Sequence, residues 1–502
     1  MDVDSLNSSL LIGALVVVAA VLAVRASLRF GLPSLVLYLL IGVLLGEAVL
    51  GIEFDDAALA QALAFSALMV ILAEGGLTTK WSDLRPALGV GLSLATIGVL
   101  VSTAVIAVLG HFVLGLEWRL AVLLGAVFAS TDAAAVFSVL RRLPLRRRPA
   151  IALEAESGLN DPPTVVLVTI VSAGQLVERG PAMVALDVFY QLVGGAVIGF
   201  AVGWVGAFLL RRARFPASGL YPLMVVTLTV LAYASGAAIA ASGFASVYVA
   251  AVVLGNSHLP HRAATLSFAE GLAWIAQIGL FVMLGMLASP ADMPDAIVPA
   301  LVAGAGLVLL ARPLAVLISC LPFRLPLREQ AFLSWAGLRG AIPVVLATIP
   351  LADDRPGATW LFAVVFIVAI VFTSMQAPTL SWVARRLNVS GDAEPRDADV
   401  ESAPLDRLDA DLVQLRVPEG SRLHGVEIGE LRLPEGVSVS LLVRGDRSFV
   451  PDRGTRLRHG DDVLVVAPRP LRDLTERRLR AVGRRGRLAW WYGEQGRDDE
   501  PP

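Results

Sequence analysis

The sequence predicts a multi-pass α-helical membrane protein of about thirteen transmembrane helices, followed by a small cytoplasmic α+β domain. The chain of 502 residues is 56% hydrophobic, and its mean hydropathy is +0.72. Apolar runs of about 17–28 residues, the length that spans a bilayer as a helix, recur along its first part. The charge is uneven, because 19 of the 41 basic residues lie after residue 390. We therefore expect a membrane domain over residues 1–386 and a soluble remainder.

The apolar runs alternate with loops whose charge indicates their side of the membrane. The runs lie near residues 9–24, 32–50, 57–76, 86–113, 119–140, 149–173, 184–210, 219–241, 243–257, 267–289, 293–320, 329–350 and 358–384. If the N-terminus is outside, the inner loops and tail hold 17 basic residues and the outer loops three. The positive-inside rule requires this asymmetry. We expect an inner (plasma) membrane protein with its C-terminal domain in the cytoplasm.

The charges that flank the first apolar run, together with the composition, exclude several classes of protein. Arg25 and Arg29 follow the first apolar run, whereas a signal peptide carries its basic residues before it, so we expect a retained span. A net charge of −2 gives no basis for a nucleic-acid partner. One cysteine, Cys320, excludes an intrachain disulfide and a Cys-based metal centre. No phosphate-binding loop or nucleophile–base motif is present, so we expect neither an enzyme nor a cofactor.

Nine charged residues remain inside the predicted spans, where each costs roughly 2.5–3.5 kcal/mol at a helix centre. Glu47 and Glu154 are also explained by span ends that reach water, but Asp132, Asp161 and Arg339 fall well inside their spans. An interior with more acids than bases is suited to cations and protons, and carboxylates must be its titrating groups because no histidine lies mid-span. The nine residues are Glu47, Glu74, Asp132, Glu154, Glu156, Asp161, Glu270, Arg312 and Arg339.

Two motifs predict interrupted helices in the fifth and twelfth spans. "STDAAAVFS" begins at Ser130 and continues with Thr131 and Asp132, and "GLRGAIP" places Arg339 between glycines and ahead of Pro343. Two spans that are seven apart run in opposite directions. This is the arrangement of inverted repeats whose broken helices cross at a binding site. The alternative explanation is that the glycines only allow close helix packing.

The sixth span contains "ESGLNDP", which puts an acid next to helix-breaking residues. Ser157 and Asp161 are four residues apart and share one helix face. Pro162 and Pro163 have no amide hydrogen, so the carbonyls one turn earlier lose their helical donors. Carbonyls, a hydroxyl and a carboxylate together predict an oxygen site for a hard monovalent cation near the membrane midplane.

These three motifs resemble those of the cation:proton antiporter superfamily, in particular the bacterial NhaP-type sodium or potassium/proton exchangers. The resemblance covers the membrane domain. It implies a secondary antiporter that expels K⁺ or Na⁺ in exchange for H⁺. It also implies a homodimer in the lipid bilayer, whose scaffold and core helices move against each other.

The resemblance also assigns roles to individual residues. The residues that bind the cation or proton are Asp161, Asp132, Ser157, the backbone of Thr131 and, in "AEGGLTT", Glu74. The residues that support the site are Asn160 as a brace, Glu156 paired with Arg339, and Arg312 paired with an unidentified acid. We expect the monovalent cation itself at Asp132 and Asp161. Because Asn160 is an amide and Glu156 is held by an arginine, one carboxylate is left to exchange one proton for one cation, and the cycle is expected to be electroneutral.

The soluble end falls into three segments. Residues 387–410 are polar and acidic and are expected to form a linker. Residues 411–475 alternate short strands and turns; "VPEGSRLHGVEIGELRLPEGVSV" and "LRHGDDVLVVA" resemble the TrkA-C lobe of potassium-conductance regulatory proteins. Residues 476–502 are expected to be a helix end and a disordered tail.

The TrkA-C resemblance implies paired lobes and a site for a small regulatory ligand, with a passive dimerisation module as the alternative. Because relatives of this lobe accompany potassium systems, the resemblance favours K⁺/H⁺ exchange, with Na⁺/H⁺ exchange on the same fold as the alternative. It also raises a regulated potassium channel as another function. A channel needs a carbonyl filter of the T-V-G-Y-G type, and the sequence has none.

Overall fold

The chain forms two compact units, Met1–Ser390 and Gly391–Pro502. The boundary between the units follows Ser390, four residues after the predicted end of the membrane domain at residue 386. A computed structural model of the protein describes residues 3–30, 33–47, 50–52, 54, 56–131, 145–175, 180–213, 215–257, 259–390, 399–405, 410–418, 421–445, 447–486 and 489.

The first unit is mainly α-helical. Its α-helices are α1 (Val3–Phe30), α2 (Ser34–Leu45), α3 (Ala57–Thr78), α4 (Trp81–Ser93), α5 (Val99–Phe112), α6 (Trp118–Ala129), α7 (Arg147–Leu159), α8 (Asp161–Ser172), α9 (Pro181–Arg212), α10 (Leu220–Ala238), α11 (Gly243–Gly255), α12 (Arg262–Met286), α13 (Met293–Gly306), α14 (Arg312–Cys320), α15 (Leu327–Trp335), α16 (Ala341–Ala352) and α17 (Ala358–Arg386). Each of the thirteen predicted spans overlaps one of these helices or two in line. Among the described residues, seven helical segments are long and apolar enough to cross a membrane, and five shorter apolar helices accompany them. The count of thirteen crossings stays a prediction.

Irregular backbone occurs at matching positions of the two halves. In the fourth span, α4 and α5 are joined by a π-helical segment, Leu94–Gly98, and in the eleventh span α13 and α14 are joined by another, Leu307–Ala311. In the fifth span α6 ends at Ala129, and in the twelfth α15 ends at Trp335 before α16 begins. Each pair lies seven spans apart, as the inverted-repeat prediction requires. π-Helical segments occur frequently at functional sites.

Glycines let α9 lie directly against α11 within one protomer. A Cβ on Gly199 would lie 2.3 Å from the Ser246 carbonyl oxygen, and one on Gly195 would lie 2.5 Å from the Ser242 carbonyl oxygen. Such a contact is possible only without side chains. The Ser242 amide also donates to the Gln191 carbonyl at 2.9 Å, which fixes the start of α11 against α9.

The second unit is an antiparallel sheet with one long helix. Its strands are β1 (Asp399–Leu405), β2 (Ala410–Arg416), β3 (Ser438–Arg444), β4 (Arg447–Phe449) and β5 (Asp462–Pro468), in the order β1-β2-β5-β3-β4, and its helix is α18 (Arg472–Arg485). Alternate residues of β2 and β5 are buried, including Val413, Leu415, Val463 and Val465. They pack with Leu479 and Val482 of α18, so one face of the sheet forms the core.

The predicted linker, residues 387–410, is wrong at both ends. Val389 is 1% exposed and belongs to the hydrophobic core of the first unit. Strand β1 pairs with β2 along its whole length, from Asp399 opposite Arg416 to Leu405 opposite Ala410. An acidic, proline-containing sequence concealed this strand, because an edge strand needs little apolar sequence of its own. Residues 391–398, and the tail after residue 489, lie outside the described residues.

Candidate functional site

The sixth span consists of two helices in line, separated by one residue. α7 ends at Leu159, Asn160 follows, and α8 begins at Asp161 with Pro162 and Pro163 next. Prolines are tolerated there because the first amides of a helix have no intrahelical acceptor. A carboxylate at the same end is stabilised by the helix dipole. Asp161 is only 1% exposed, so this buried helix start carries a buried acid.

The break in the fifth span meets the break in the sixth. After α6 ends at Ala129, Ser130 continues in an extended conformation with φ −73° and ψ 142°. The Ser130 hydroxyl donates to Asp161 Oδ1 at 2.9 Å. The Asn160 side-chain amide donates to Thr131 Oγ1 at 2.5 Å. All four of these polar residues are at most 1% exposed. The predicted neighbours Thr131, Asn160 and Asp161 therefore lie together.

The break in the twelfth span joins the same crossing through Arg339. The Arg339 guanidinium donates through Nη1 to the Ala129 carbonyl at 3.1 Å. This satisfies one of the carbonyls that the end of α6 leaves without a helical donor. α17 supports the break from the other side: Thr373 donates to the Arg339 carbonyl at 2.7 Å, and Gln376 donates to the Trp335 carbonyl at 3.1 Å. The broken backbone is thus bonded by side chains, as burial in a membrane protein requires.

The predicted pair of Glu156 with Arg339 is wrong. Glu156 forms its ion pair with Arg312 instead, through both guanidinium Nη atoms, and the Nη2–Oε2 distance is 2.7 Å. Arg312 Nη2 also donates to the Leu333 carbonyl at 3.1 Å. Both charged side chains are at most 5% exposed. The unidentified partner of Arg312 is therefore Glu156.

The structure gives the reason for this pairing. Arg312 begins α14 directly after the π-helical segment Leu307–Ala311, which alters the direction in which the following helix presents its side chains. The break of the twelfth span also makes room, because a Cβ on Gly337 would lie 2.4 Å from Arg312 Nε. Neither effect can be read from residue spacing. Arg339, in contrast, reaches the end of α6.

Three further predicted ligands occupy different positions. Ser157 is 1% exposed and lies one turn before Asp161 on the same side of the sixth span. Asp132 lies outside the described residues. Glu74 is half-buried on α3 and lines a small cavity with residues of α10 and α12. The residues from those two helices are Val226, Thr229, Val230, Ala269 and Leu272. A role for Glu74 as an ion ligand stays a prediction.

Sequence reasoning missed two residues at the site. Ser130 is not among the predicted ligands or supporting residues, but its hydroxyl bonds the Asp161 carboxylate. Tyr248 of α11 is 5% exposed, and its hydroxyl contacts α7 at Gly158. A hydroxyl residue next to a mid-span Thr–Asp was a usable signal for Ser130. Tyr248 gave none, because it lies in an ordinary apolar run.

Gly158→Ala is expected to impair folding or exchange, because the new Cβ would lie 2.5 Å from Tyr248 Oη and 3.0 Å from its Cζ. The tyrosine ring is buried and cannot move away without displacing α7 or α11. Gly271→Ala on α12 is the matched control, since nothing lies within 4 Å of its new Cβ. Thermal melting in detergent should show a lower midpoint for Gly158→Ala alone. Equal melting of the two variants would contradict the close contact.

Among the described residues, the crossing brings together Glu156, which is ion-paired with Arg312, and Asp161, which accepts a hydrogen bond from Ser130. Glu156 is neutralised by Arg312, and Asn160 does not titrate. Asp161 is an acceptor for hydroxyl hydrogens, and an ionised carboxylate accepts a proton or a cation at the same oxygens. A desolvated carboxylate that is hydrogen-bonded by a hydroxyl can therefore exchange one for the other.

Two protein-family models match the chain, one in each of its two units. The family model described as "Sodium/hydrogen exchanger, transmembrane" matches residues 14–386, most of the chain and nearly all of its first unit. The chain belongs to this family. A second model, the TrkA-C domain, matches residues 412–479, close to the predicted range 411–475. Both predicted resemblances are confirmed.

Relatives and solved structures extend this result. The K⁺/H⁺ antiporter NhaP2 of Shewanella baltica (strain OS223) is 36% identical over 474 residues, which cover 93% of this chain and 82% of the relative. The K⁺/H⁺ antiporter NhaP of Alkalimonas amylolytica is 38% identical over 418 residues, covering 81% and 71%. The solved sodium proton antiporter MjNhaP1 of Methanocaldococcus jannaschii at pH 8 is 23% identical, with a TM-score of 0.67 over 76% of this chain and 99% of its own. The multi-pass helical fold is confirmed.

Proposed function

We propose that this exchanger carries K⁺ out of the cell in exchange for H⁺. The observation that supports it most is the buried Asp161 carboxylate, hydrogen-bonded by Ser130 where the broken spans meet. A proton and a monovalent cation, whether K⁺ or Na⁺, compete for the oxygens of such a carboxylate. The alternative of a potassium channel has less support, because a channel does not need a desolvated carboxylate, and its carbonyl filter motif is missing from the sequence.

The choice of K⁺ rests on the relatives. Those at 36–38% identity over most of the chain are named K⁺/H⁺ antiporters. The Na⁺/H⁺ antiporter NhaS2 of Synechocystis is 28% identical over 72% of the chain, so Na⁺/H⁺ exchange is the second candidate. The K⁺/H⁺ antiporters are more similar in sequence and match more of the chain than this Na⁺/H⁺ antiporter, so K⁺ is the expected cation.

The proposal is tested in proteoliposomes with an internal pH-sensitive dye. With an acidic lumen, added K⁺ should collapse the pH gradient at lower concentration than added Na⁺. Asp161→Asn liposomes are the control for leak. A response to Na⁺ at tenfold lower concentration than K⁺ would support the Na⁺/H⁺ alternative. No response to either ion, from protein that elutes as a single species, would overturn exchange itself.

We assign the ion to Asp161, with Asp132, Ser157 and the Thr131 backbone as further ligands. The burial of Ser157 and Thr131 beside Asp161 supports this set. Glu74 is kept as a further candidate ligand, because "AEGGLTT" resembles the family segment whose acid completes the site in some members. Asn160, Glu156, Arg312 and Arg339 hold the crossing without binding the ion.

The exchange cycle is expected to be electroneutral, one cation for one proton. Glu156 is paired with Arg312, so Asp161 is the titrating group among the described residues of the crossing. Because a proton and the cation compete for it, the apparent affinity for the cation should fall as pH decreases. A rapid K⁺ concentration jump over liposomes on a solid-supported membrane should give no transient current while the dye reports proton flux. A current that scales with the flux would contradict the one-for-one cycle.

The remaining assignments concern topology and assembly. We place the N-terminus outside and the TrkA-C-like domain in the cytoplasm of the inner membrane, from the excess of basic residues in the predicted inner loops. A homodimer is assigned from the family resemblance. The TrkA-C match over residues 412–479 supports a regulatory role for the second unit, with a small ligand as its input.

A further inference from the structure

Ser130 lies where it can sense the charge state of Asp161. It directly follows the last residue of α6, is 0% exposed, and donates to Asp161 Oδ1 at 2.9 Å. An ionised carboxylate only accepts hydrogen bonds, so the hydroxyl must be the donor in this state. The preceding carbonyl, of Ala129, is fixed by Arg339. The backbone just before Ser130 is therefore fixed by Arg339, and this keeps the Ser130 hydroxyl close to the Asp161 carboxylate.

We propose that Ser130 is a positioning residue that sets the pH range of exchange, an inference that rests on the proposed function. Its hydrogen bond stabilises the ionised form of Asp161 while neither proton nor cation is bound. A hydroxyl both donates and accepts. When Asp161 is protonated, the Ser130 hydroxyl can turn and accept a hydrogen bond from the carboxylic acid, and this neutral bond is weaker than the bond to the ionised carboxylate. The hydroxyl therefore favours the ionised form of Asp161 over the protonated form.

Removal of the hydroxyl has a defined sign. Without the donor, the ionised carboxylate is less favoured relative to the protonated one, so protons compete with the cation up to a higher pH. The pH of half-maximal exchange should rise by about one unit in Ser130→Ala, which corresponds to the loss of one hydrogen bond to a charged group. A residue with only a structural role would lower the rate at every pH without moving this midpoint.

The test compares wild type, Ser130→Ala and Ser93→Ala in the dye assay at a series of pH values. Ser93 is the matched control, since its hydroxyl donates to the Ser319 carbonyl at 2.8 Å, in a different pair of helices. We expect an upward shift for Ser130→Ala and the wild-type midpoint for Ser93→Ala. An unchanged midpoint, or loss of exchange at every pH in well-folded Ser130→Ala, would overturn the inference. Inactivity of the wild type would instead refute the proposed function.

An independent observation concerns the point where the chain leaves the first unit. The Arg146 amide donates to the Val389 carbonyl at 3.0 Å, and Leu145 and Ser390 form an isolated antiparallel bridge. We call these four residues the exit bridge. Leu145 and Arg146 immediately precede α7, the helix that ends next to Asn160. Val389 and Ser390 are the last residues before the second unit.

We infer that the exit bridge transmits the state of the second unit to the ion site. A displacement of residues 389–390 acts directly on the start of α7, because the two segments are hydrogen-bonded. α7 has 13 residues, so as a stiff rod it carries that displacement roughly 20 Å, to the end that adjoins Asp161. This route requires no contact between the two units other than the chain itself.

Two substitutions at Arg146 together isolate the loss of the bond. Arg146 has φ −60° and ψ 144°, which a proline adopts without strain, and proline has no amide hydrogen to donate. Arg146→Pro therefore removes the bond to Val389 and keeps the backbone path. Arg146→Ala is the matched control, because it removes the same guanidinium and keeps the amide donor.

The comparison includes a chain that ends after Ser390, which retains the whole exchanger match of residues 14–386. The pH profile of exchange is measured for the full and shortened chains, each with and without Arg146→Pro. We expect full-length Arg146→Pro to resemble the shortened chain, Arg146→Ala to resemble wild type, and the shortened chain to be unaffected by the proline. Additive effects, a full-length proline variant like wild type, or a shortened chain like the full one would each overturn the inference.

Discussion

Asp161→Asn is expected to abolish exchange. The substitution keeps the size and shape of the side chain, and Ser130 can still donate to the remaining oxygen. It removes the only charge of the residue and its ability to take up a proton. Neither half of the exchange can then occur at this position, so the cation-induced dye signal should fall to that of protein-free liposomes.

The control for this variant is Glu270→Gln, which removes another acid from an apolar run. Glu270 is exposed on α12, and the same change of charge there should leave exchange close to wild type. Both variants should melt within the range of the wild type, because Asp161→Asn retains its hydrogen bond. Exchange above the background in well-folded Asp161→Asn would remove Asp161 from the mechanism.

The crossing was predictable because its parts violate the pattern of a membrane helix. Asp161, Arg339 and the hydroxyls Ser130 and Thr131 are costly in hydrocarbon, and prolines and glycines stand beside them. Because such residues are unfavourable in a membrane helix unless they line a buried polar site, their presence predicts that site. The structure accordingly brings Thr131, Asn160 and Asp161 within hydrogen-bonding distance of their partners.

Contacts between distant spans were not predictable in the same way. Glu156 and Arg312 are 156 residues apart, and either Arg312 or Arg339 satisfied the requirement for a buried counter-charge. Which arginine pairs with Glu156 depends on the π-helical segment before Arg312 and on Gly337 of the twelfth span, and both effects arise only in the folded backbone. The edge strand β1 was missed for a related reason, since its stability comes from the register with β2 rather than from its own residues.

Arg312→Met is expected to destabilise the first unit by about 3–5 kcal/mol. Methionine has a similar length and a good helix propensity, so the packing of α14 is largely kept. The loss comes from Glu156, whose carboxylate is then buried without its bidentate partner. The melting midpoint in detergent should fall well below that of the wild type. Arg355→Met is the control, because its pair with Asp353 at 3.7 Å is about 40% exposed and such pairs contribute about 0–1 kcal/mol.

The second substitution Glu156→Gln, added to Arg312→Met, separates the pair from the packing of either residue. It removes the unpaired charge, so the double variant should recover most of the lost stability. The result that would most directly contradict this prediction is a change of partner, in which Glu156 pairs with Arg339. Its Nε and Nη2 have no hydrogen-bond partner among the described residues, so a carboxylate that could turn toward it would find donors. If Arg312→Met melts like the wild type, Glu156 has changed partner, and the two arginines are interchangeable counter-charges rather than one pair and one helix cap.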